Sequence, residues 1–360
     1  MEMVLPKGRN KQAKLPEFAE KLKEISDLIG FPISSRGWGY ELEGRGIITK
    51  GGIDSVENLV NECRELGLLP VDFTAHEDAR AFTGIENPEE KSPMEYIKSI
   101  LEGVLECQEW YTPDWWDGEE YYIQMLVEKI DLKTLFKDTC EEYHIPIATA
   151  KGWSSIIQRA EYARRFKEAE ERGLKCVLLY CGDHDPDGLR ISNFIMGNLY
   201  QLRNISWKDG IEGYDPVNLE IDRFGLNYEY IMENDLTWID NLETGSGGYL
   251  AKVVGGRIVQ GKTKNGKPHP NFNLPYIQEY LKKYGVRKVE ANAILKNVDS
   301  ARDLCRKVIE KWLGDDALDR FEEKRGMIRK AFEDFRGKTG LDEAVVAALE
   351  IINKEEEKGD

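Results

Sequence analysis

Apolar positions along the chain recur with a helical period first and with strand-like runs later. From Leu15 to Ile29 they repeat at helical spacing and stop at Gly30, ahead of Pro32, which predicts a helix ended by glycine. Ile53 to Leu66 reads as a second amphipathic helix, with Val56, Leu59, Val60 and Cys63 on one face and Gly67 behind it. Between the two lie Ser34-Ser-Arg-Gly-Trp-Gly-Tyr40-Glu-Leu and Gly46-Ile-Ile-Thr, so a compact unit of helices with a small wing is expected. A further helix is expected at about Pro93 to Cys107. Beyond it the pattern changes. Tyr121 to Val127 is a strand candidate, Leu132 to Tyr143 is helical, and Ile145 to Ala150 is a short strand. Ile156 to Glu171 is an amphipathic helix closed by Gly173, and Cys176 to Cys181 is an unbroken apolar run. Leu189 to Leu202 is helical again, and helix prevails from Ala317 to a charged tail, Lys354 to Asp360. Strands that alternate with helices, some of them apolar on both faces, predict a mixed α/β fold around a parallel sheet covered on two sides.

Composition narrows the class. The 360 residues suit two domains or one large one, and 41% hydrophobic with 10% aromatic residues argues against disorder. The longest apolar runs fall far short of a membrane span. Met1 to Lys14 is basic and polar without an apolar core segment, which argues against a secretory signal. Cys63, Cys107, Cys140, Cys176, Cys181 and Cys305 show no CxxC spacing, and with four scattered histidines they predict reduced thiols in a cytoplasm and no zinc site.

The formal charge of −16 argues at first against a nucleic-acid partner. Its distribution changes that picture. Residues 51–130 account for a net −14, densest over Glu86 to Glu120, while residues 131–360 are close to balance at −4. The acidic stretch also holds Pro88, Pro93 and Pro113 and reads as a connector. The expected domains are 1–90, 91–118 as the acidic connector, 119–315, and 316–360 as helices with a charged tail.

The strongest chemical signal is Val177-Leu-Leu-Tyr-Cys-Gly-Asp183-His-Asp185-Pro-Asp187-Gly188. It puts three alternating carboxylates directly after a buried strand, where open α/β sheets bind ligands. Such close like charges call for a cation, and Mg²⁺ is the usual one. A plain surface turn is the competing reading, since Asp-Pro-Asp-Gly is good turn chemistry. Glu128, with Lys129 beside it, also follows a strand candidate and is placed to converge on the same metal.

Glu128 followed some 55 residues later by Asp183-x-Asp185 resembles the Toprim domain of topoisomerases, primases and nucleases. The detail Gly182-Asp-His-Asp-Pro-x-Gly-Leu-Arg-Ile is most similar to the topoisomerase VI A subunit and the related meiotic double-strand-break protein. Lys151-Gly-Trp-Ser-Ser resembles a glycine-rich turn of that family, and Glu290-Ala-Asn-Ala-Ile-Leu resembles its late Glu-x-Asp-Ala-Leu-like segment, with Asn292 where an acid is commoner. The resemblance implies a winged-helix-like DNA-binding domain at 1–90 and a Toprim domain at 119–315. It implies Mg²⁺ held by Glu128, Asp183, Asp185 and Asp187, and DNA cleavage and rejoining through a tyrosine.

That tyrosine follows an Arg-x-x-aromatic-Tyr motif in the family. Arg36-Gly-Trp-Gly-Tyr40 keeps Arg and Tyr four apart, with Gly39 where the aromatic stands. A nearby arginine favours the phenolate that a phenol must become to attack phosphorus. Two glycines in the segment weaken any helix there. The family also implies that tyrosine and metal meet across two copies, hence a homodimer, and that ATP-driven strand passage needs a separate ATPase subunit. DNA contacts are expected at Lys129, Arg257, Lys262 and Lys264. Gly256-Arg-Ile-Val-Gln-Gly261-Lys262-Thr263 matches the phosphate-loop pattern, but Lys-Asn-Gly-Lys-Pro-His-Pro follows where a helix is required, so a basic hairpin is expected instead. The competing functions are a Toprim metallonuclease with a structural Tyr40 and a catalytically inactive DNA-binding relative.

Overall fold

The computed structural model describes residues 3–70, 72–75, 88–150, 156–205, 213–243 and 248–359, the last five of these as backbone only. In chain order the helices are α1 (Lys11–Ile29), α2 (Ser35–Gly44), α3 (Ile53–Glu65), α4 (Pro93–Leu105), α5 (Cys107–Trp110), α6 (Ile130–Glu142), α7 (Ile156–Glu171) and α8 (Ile191–Tyr200). They continue with α9 (Tyr228–Glu233), α10 (Pro275–Tyr284), α11 (Val298–Leu313), α12 (Ala317–Thr339) and α13 (Leu341–Gly359). The strands are β1 (Tyr121–Val127), β2 (Ile147–Thr149), β3 (Lys175–Cys181), β4 (Glu220–Arg223), β5 (Ala251–Val254) and β6 (Arg257–Gln260). The chain forms two compact units, Met1–His76 with Glu120–Trp312, and Glu77–Glu119 with Leu313–Asp360. The acidic segment is thus part of a helical unit with the C-terminal helices, and the N-terminal helices belong with the sheet.

The first unit is built on a parallel sheet in the order β2-β1-β3-β4. β1 and β3 are its buried centre: Ile123, Leu126, Val127, Leu178 and Leu179 are wholly inaccessible, each contributing about 1.5–3 kcal/mol by burial. The two strands pair from Tyr121 opposite Lys175 to Val127 opposite Cys181, so both end at the same level. Glu128 N–H donates to the Cys181 carbonyl at 2.9 Å and extends the ladder by one rung. Residues that follow β1 and β3 are therefore delivered side by side. β4 is an edge strand of alternating charge, Glu-Ile-Asp-Arg, a pattern that does not read as a strand.

Within the same unit, α1, α2 and α3 bury Leu15, Phe18, Leu22, Ile25, Trp38, Leu42, Val56 and Val60. No strand occurs among the described residues of 1–75, so the expected wing is replaced by turns and a short 3-10 segment, Lys50–Gly52. α2 runs straight through Gly37 and Gly39, where the glycines predict weakness. A Cβ at Gly37 would fall on the Asp131 carboxylate and one at Gly39 on Ile53. The glycines permit this close approach, and packing outweighs their poor helix propensity.

β5 and β6 form a hairpin around Gly255 and Gly256, whose φ values of 56° and 75° give the two-residue turn that matches strand twist. The phosphate-loop pattern falls on β6 and the turn after it, Lys262 pairing with Pro268, and no helix begins there.

In the second unit, Ser92 and Glu95 form a reciprocal capping box that starts α4. Arg336 of α12 donates to the Leu105 carbonyl and to Gln108 Oε1, each at 2.7 Å, and pairs with Asp342 at 2.7 Å. Arg329 pairs with Glu109 at 2.8 Å and Arg320 with Glu119 at 2.9 Å. The acids that made the segment read as a connector are partly matched by basic residues of α12. Among the described residues no helix is long and apolar enough to cross a membrane.

Candidate carboxylate–lysine–tyrosine site

Glu128 and Asp183 meet as the strand register dictates. Asp183 N–H donates to Glu128 Oε2 at 2.8 Å. The loop after β3 is then pinned from two sides. His184 and Val289 exchange backbone hydrogen bonds of 2.8 and 3.1 Å, which bring the segment 288–292 against the loop. Ala291 N–H donates to Asp183 Oδ1 at 2.6 Å. On the other side Arg223 of β4 donates to the carbonyls of Asp183 at 2.9 Å and Gly188 at 3.1 Å. His184 itself turns away into Trp238, Tyr280 and Tyr284, its Nδ1 2.6 Å from the Leu226 carbonyl. Burial lowers its pKa to about 4, so the ring is a neutral anchor for the two flanking aspartates.

Lys129 is the centre of the site. Its Nζ lies 2.8 Å from Glu128 Oε1, 3.2 Å from Asp183 Oδ2 and 3.5 Å from Glu290 Oε2. Burial disfavours the ammonium, but Asp183, Glu128 and Glu290 outweigh it and raise the pKa above the ordinary lysine value. Burial likewise opposes ionisation of Glu128 and Glu290, yet both are lowered. Lys129 dominates for Glu128, and Lys129, Lys288 and Lys50 for Glu290. Asp183 goes the other way, held well above the aspartate range by burial and by Glu290. Burial also raises Asp185, whose Oδ1 accepts from Gly188 N–H at 2.6 Å. Glu43 adds a further acid, buried and without a hydrogen-bond partner for either carboxylate oxygen.

Tyr40 lies beside this cluster within one chain, whereas the family resemblance implies a meeting of tyrosine and metal across two copies. The Lys129 ammonium sits 5.4 Å from the centroid of the Tyr40 ring. Arg36 Nε donates to Tyr40 Oη at 3.5 Å, at the long limit of a hydrogen bond, and its guanidinium also faces Asp54 at 3.5 Å. What orients α2 is Asp131, at the start of α6. Its carboxylate accepts from Ser34 N–H at 2.8 Å and from Asn292 Nδ2 at 3.0 Å.

Not every expected site residue gathers here. Asp187 is exposed and its Oδ1 accepts from the Tyr276 hydroxyl at 2.9 Å. Lys129, expected on DNA, is engaged by carboxylates of its own chain. Arg257, Lys262 and Lys264 are exposed on the hairpin segment. Lys151-Gly-Trp-Ser-Ser lies outside the described residues. Glu290, Lys288, Lys50 and Arg223 belong to the site without having been singled out as site residues. Lys288 and Glu290 form a buried ion pair, and Lys50 reaches Glu290 at 3.4 Å.

The donor set, Glu128, Asp183 and Asp185, is all carboxylate oxygen, the chemistry that suits a hard cation. Among the described residues no three His, Cys, Asp or Glu side chains stand in metal-holding geometry. The place between Glu128 and Asp183 is taken by the Lys129 ammonium. Compared with protein families, with curated proteins and with solved structures, the chain has no match.

Proposed function

We propose that the chain is a Mg²⁺-dependent DNA-cleaving and rejoining enzyme, with a Toprim-like sheet carrying Glu128, Asp183 and Asp185 and an N-terminal helical segment carrying Tyr40 on α2. The observation that carries this reading is the approach of Tyr40 to the Glu128–Asp183 pair, with Lys129 between them. Tyr40 Oη bonds to phosphorus as its proton leaves, the P–O3′ bond breaks, and the 3′ oxygen takes up a proton. The products are a 5′-phosphotyrosine and a free 3′ hydroxyl, and reversal rejoins the strand. Arg36 faces the phenol at the long limit of a hydrogen bond, a position from which its guanidinium can also meet a phosphoryl oxygen. Bound at the carboxylates, Mg²⁺ supplies Lewis-acid stabilisation of phosphoryl oxygens. Each tyrosine cuts one strand, so double-strand cleavage takes two copies, and the active form in this reading is a homodimer. Strand passage driven by ATP would fall to a separate subunit.

The test is a covalent adduct assay. Wild-type chain incubated with Mg²⁺ and duplex DNA, then denatured, should retain protein on 5′ ends. Undiminished adducts with Tyr40→Phe would overturn the tyrosine's role.

A second reading is a metallonuclease in which Tyr40 is structural. It is favoured by the position of Lys129 over the Tyr40 ring, a cation–π contact that gives the aromatic a packing role. Cleavage would then survive Tyr40→Phe and disappear with Asp183→Ala.

A further inference from the structure

Hydrogen bonding divides the carboxylate oxygens of the site into two sets. Glu128 Oε2 accepts the Asp183 N–H at 2.8 Å, and Asp183 Oδ1 accepts the Ala291 N–H at 2.6 Å. The other oxygens, Glu128 Oε1 and Asp183 Oδ2, are the two on which Lys129 Nζ sits, at 2.8 and 3.2 Å. A divalent cation binding this pair needs those same oxygens at about 2.1 Å. An ammonium and a divalent ion cannot both stand there, because like charges a few ångströms apart in a buried site repel strongly.

We infer that Lys129 is a displaceable internal cation that competes with the divalent metal for Glu128 and Asp183, so that metal loads only as the ammonium moves aside. The inference rests on the reading of these carboxylates as a metal site, and it deepens that reading by assigning its regulation. Three features fit. The lysine ion-pairs with both carboxylates in the metal's absence. Its flexible four-carbon stem allows the head group to leave while the backbone stays. The Tyr40 ring, 5.4 Å from Nζ, marks where an arriving phosphodiester would offer the ammonium another anionic partner. Metal and polyanion binding are then coupled, each favouring the arrangement in which Lys129 has left Glu128 and Asp183.

The experiment is a calorimetric titration of the full chain with Mn²⁺ alone, comparing wild type, Lys129→Met and Lys129→Arg. Lys129→Met should bind Mn²⁺ at least tenfold more tightly than wild type, Lys129→Arg no more tightly, and Glu128→Gln added to Lys129→Met should abolish the gain. If wild type binds and Lys129→Met binds equally or more weakly, the competition is overturned while the metal reading stands. If neither binds, both fall. Melting curves in chelator and in Mn²⁺ cover the case in which the methionine variant is unstable. Recovery of its cooperative melt on adding Mn²⁺, by a larger shift than wild type shows, supports the inference, and no recovery overturns it.

Discussion

Asp131 accepts the backbone N–H of Ser34 across almost one hundred residues of chain, at 2.8 Å, and so sets the start of the helix that carries Tyr40. Its second oxygen accepts from Asn292, which fixes the same carboxylate to the segment carrying Glu290. Asp131→Ala should lose about 1–3 kcal/mol of stability in urea unfolding, the cost of leaving buried donors unpaired. Asp131→Asn should lose less. Both should impair adduct formation more than they impair DNA binding, because α2 would be misplaced and the basic hairpin would not.

Glu290 faces Lys288, Lys129 and Lys50 and is almost wholly buried. Removing one partner of a buried ion pair costs about 3–5 kcal/mol. Glu290→Ala should therefore be among the most destabilising substitutions in the chain, whereas Glu290→Gln, which keeps the shape and one acceptor, should cost less. Chemical denaturation of both variants at neutral pH checks the order.

Glu43 gives the stability a pH dependence of definite sign. Burial is the largest cause of its raised pKa, followed by Glu290, against the opposing pull of Lys288 and Lys50. A carboxyl whose folded pKa lies above its ordinary value of 4.5 binds protons more tightly in the folded state. Its contribution favours folding below that value and is lost as pH rises towards the folded pKa. Glu43→Gln should thus flatten the stability profile just above pH 4.5 and raise stability at neutral pH. Urea midpoints across that range test it, and a steeper profile in the variant would contradict it.

Arg257, Lys262 and Lys264 stand exposed on the hairpin segment, where they are open to a phosphate backbone. Each alanine substitution should weaken duplex binding across all sequences and reduce the slope of log affinity against log salt by about 1. Fluorescence anisotropy at several salt concentrations measures this. An unchanged slope in the triple variant would place the DNA elsewhere.

The central strands were legible because β1 and β3 are apolar on both faces, and a buried parallel strand has no other way to appear in sequence. β4 was not. Its Glu-Ile-Asp-Arg carries one apolar side chain, and it is a strand only because β3 offers it an unpaired edge. The helix through Gly37 and Gly39 was obscured for a related reason: propensity speaks of an isolated helix, while here Asp131 and Ile53 occupy the space a side chain would need. The Glu128–Asp183 pairing was legible as two strand ends. The roles of Lys129 and Glu290 were not. A lysine's charge does not reveal which oxygens it will meet, and Glu290 arrives through a backbone bridge between His184 and Val289 that leaves no side-chain signature.

The pairing of the acidic segment with α12 has a consequence for the order in which the molecule is made. Residues 77–119 emerge from the ribosome early, yet the arginines that match Glu109 and Glu119 lie beyond residue 312. During synthesis the sheet-bearing unit has all its strands before α12 exists, while α4 and α5 precede the helix whose arginines they meet. Until then Glu109 and Glu119 lack the arginines that pair with them in the finished fold, and the segment carries its acidic charge unmatched by α12.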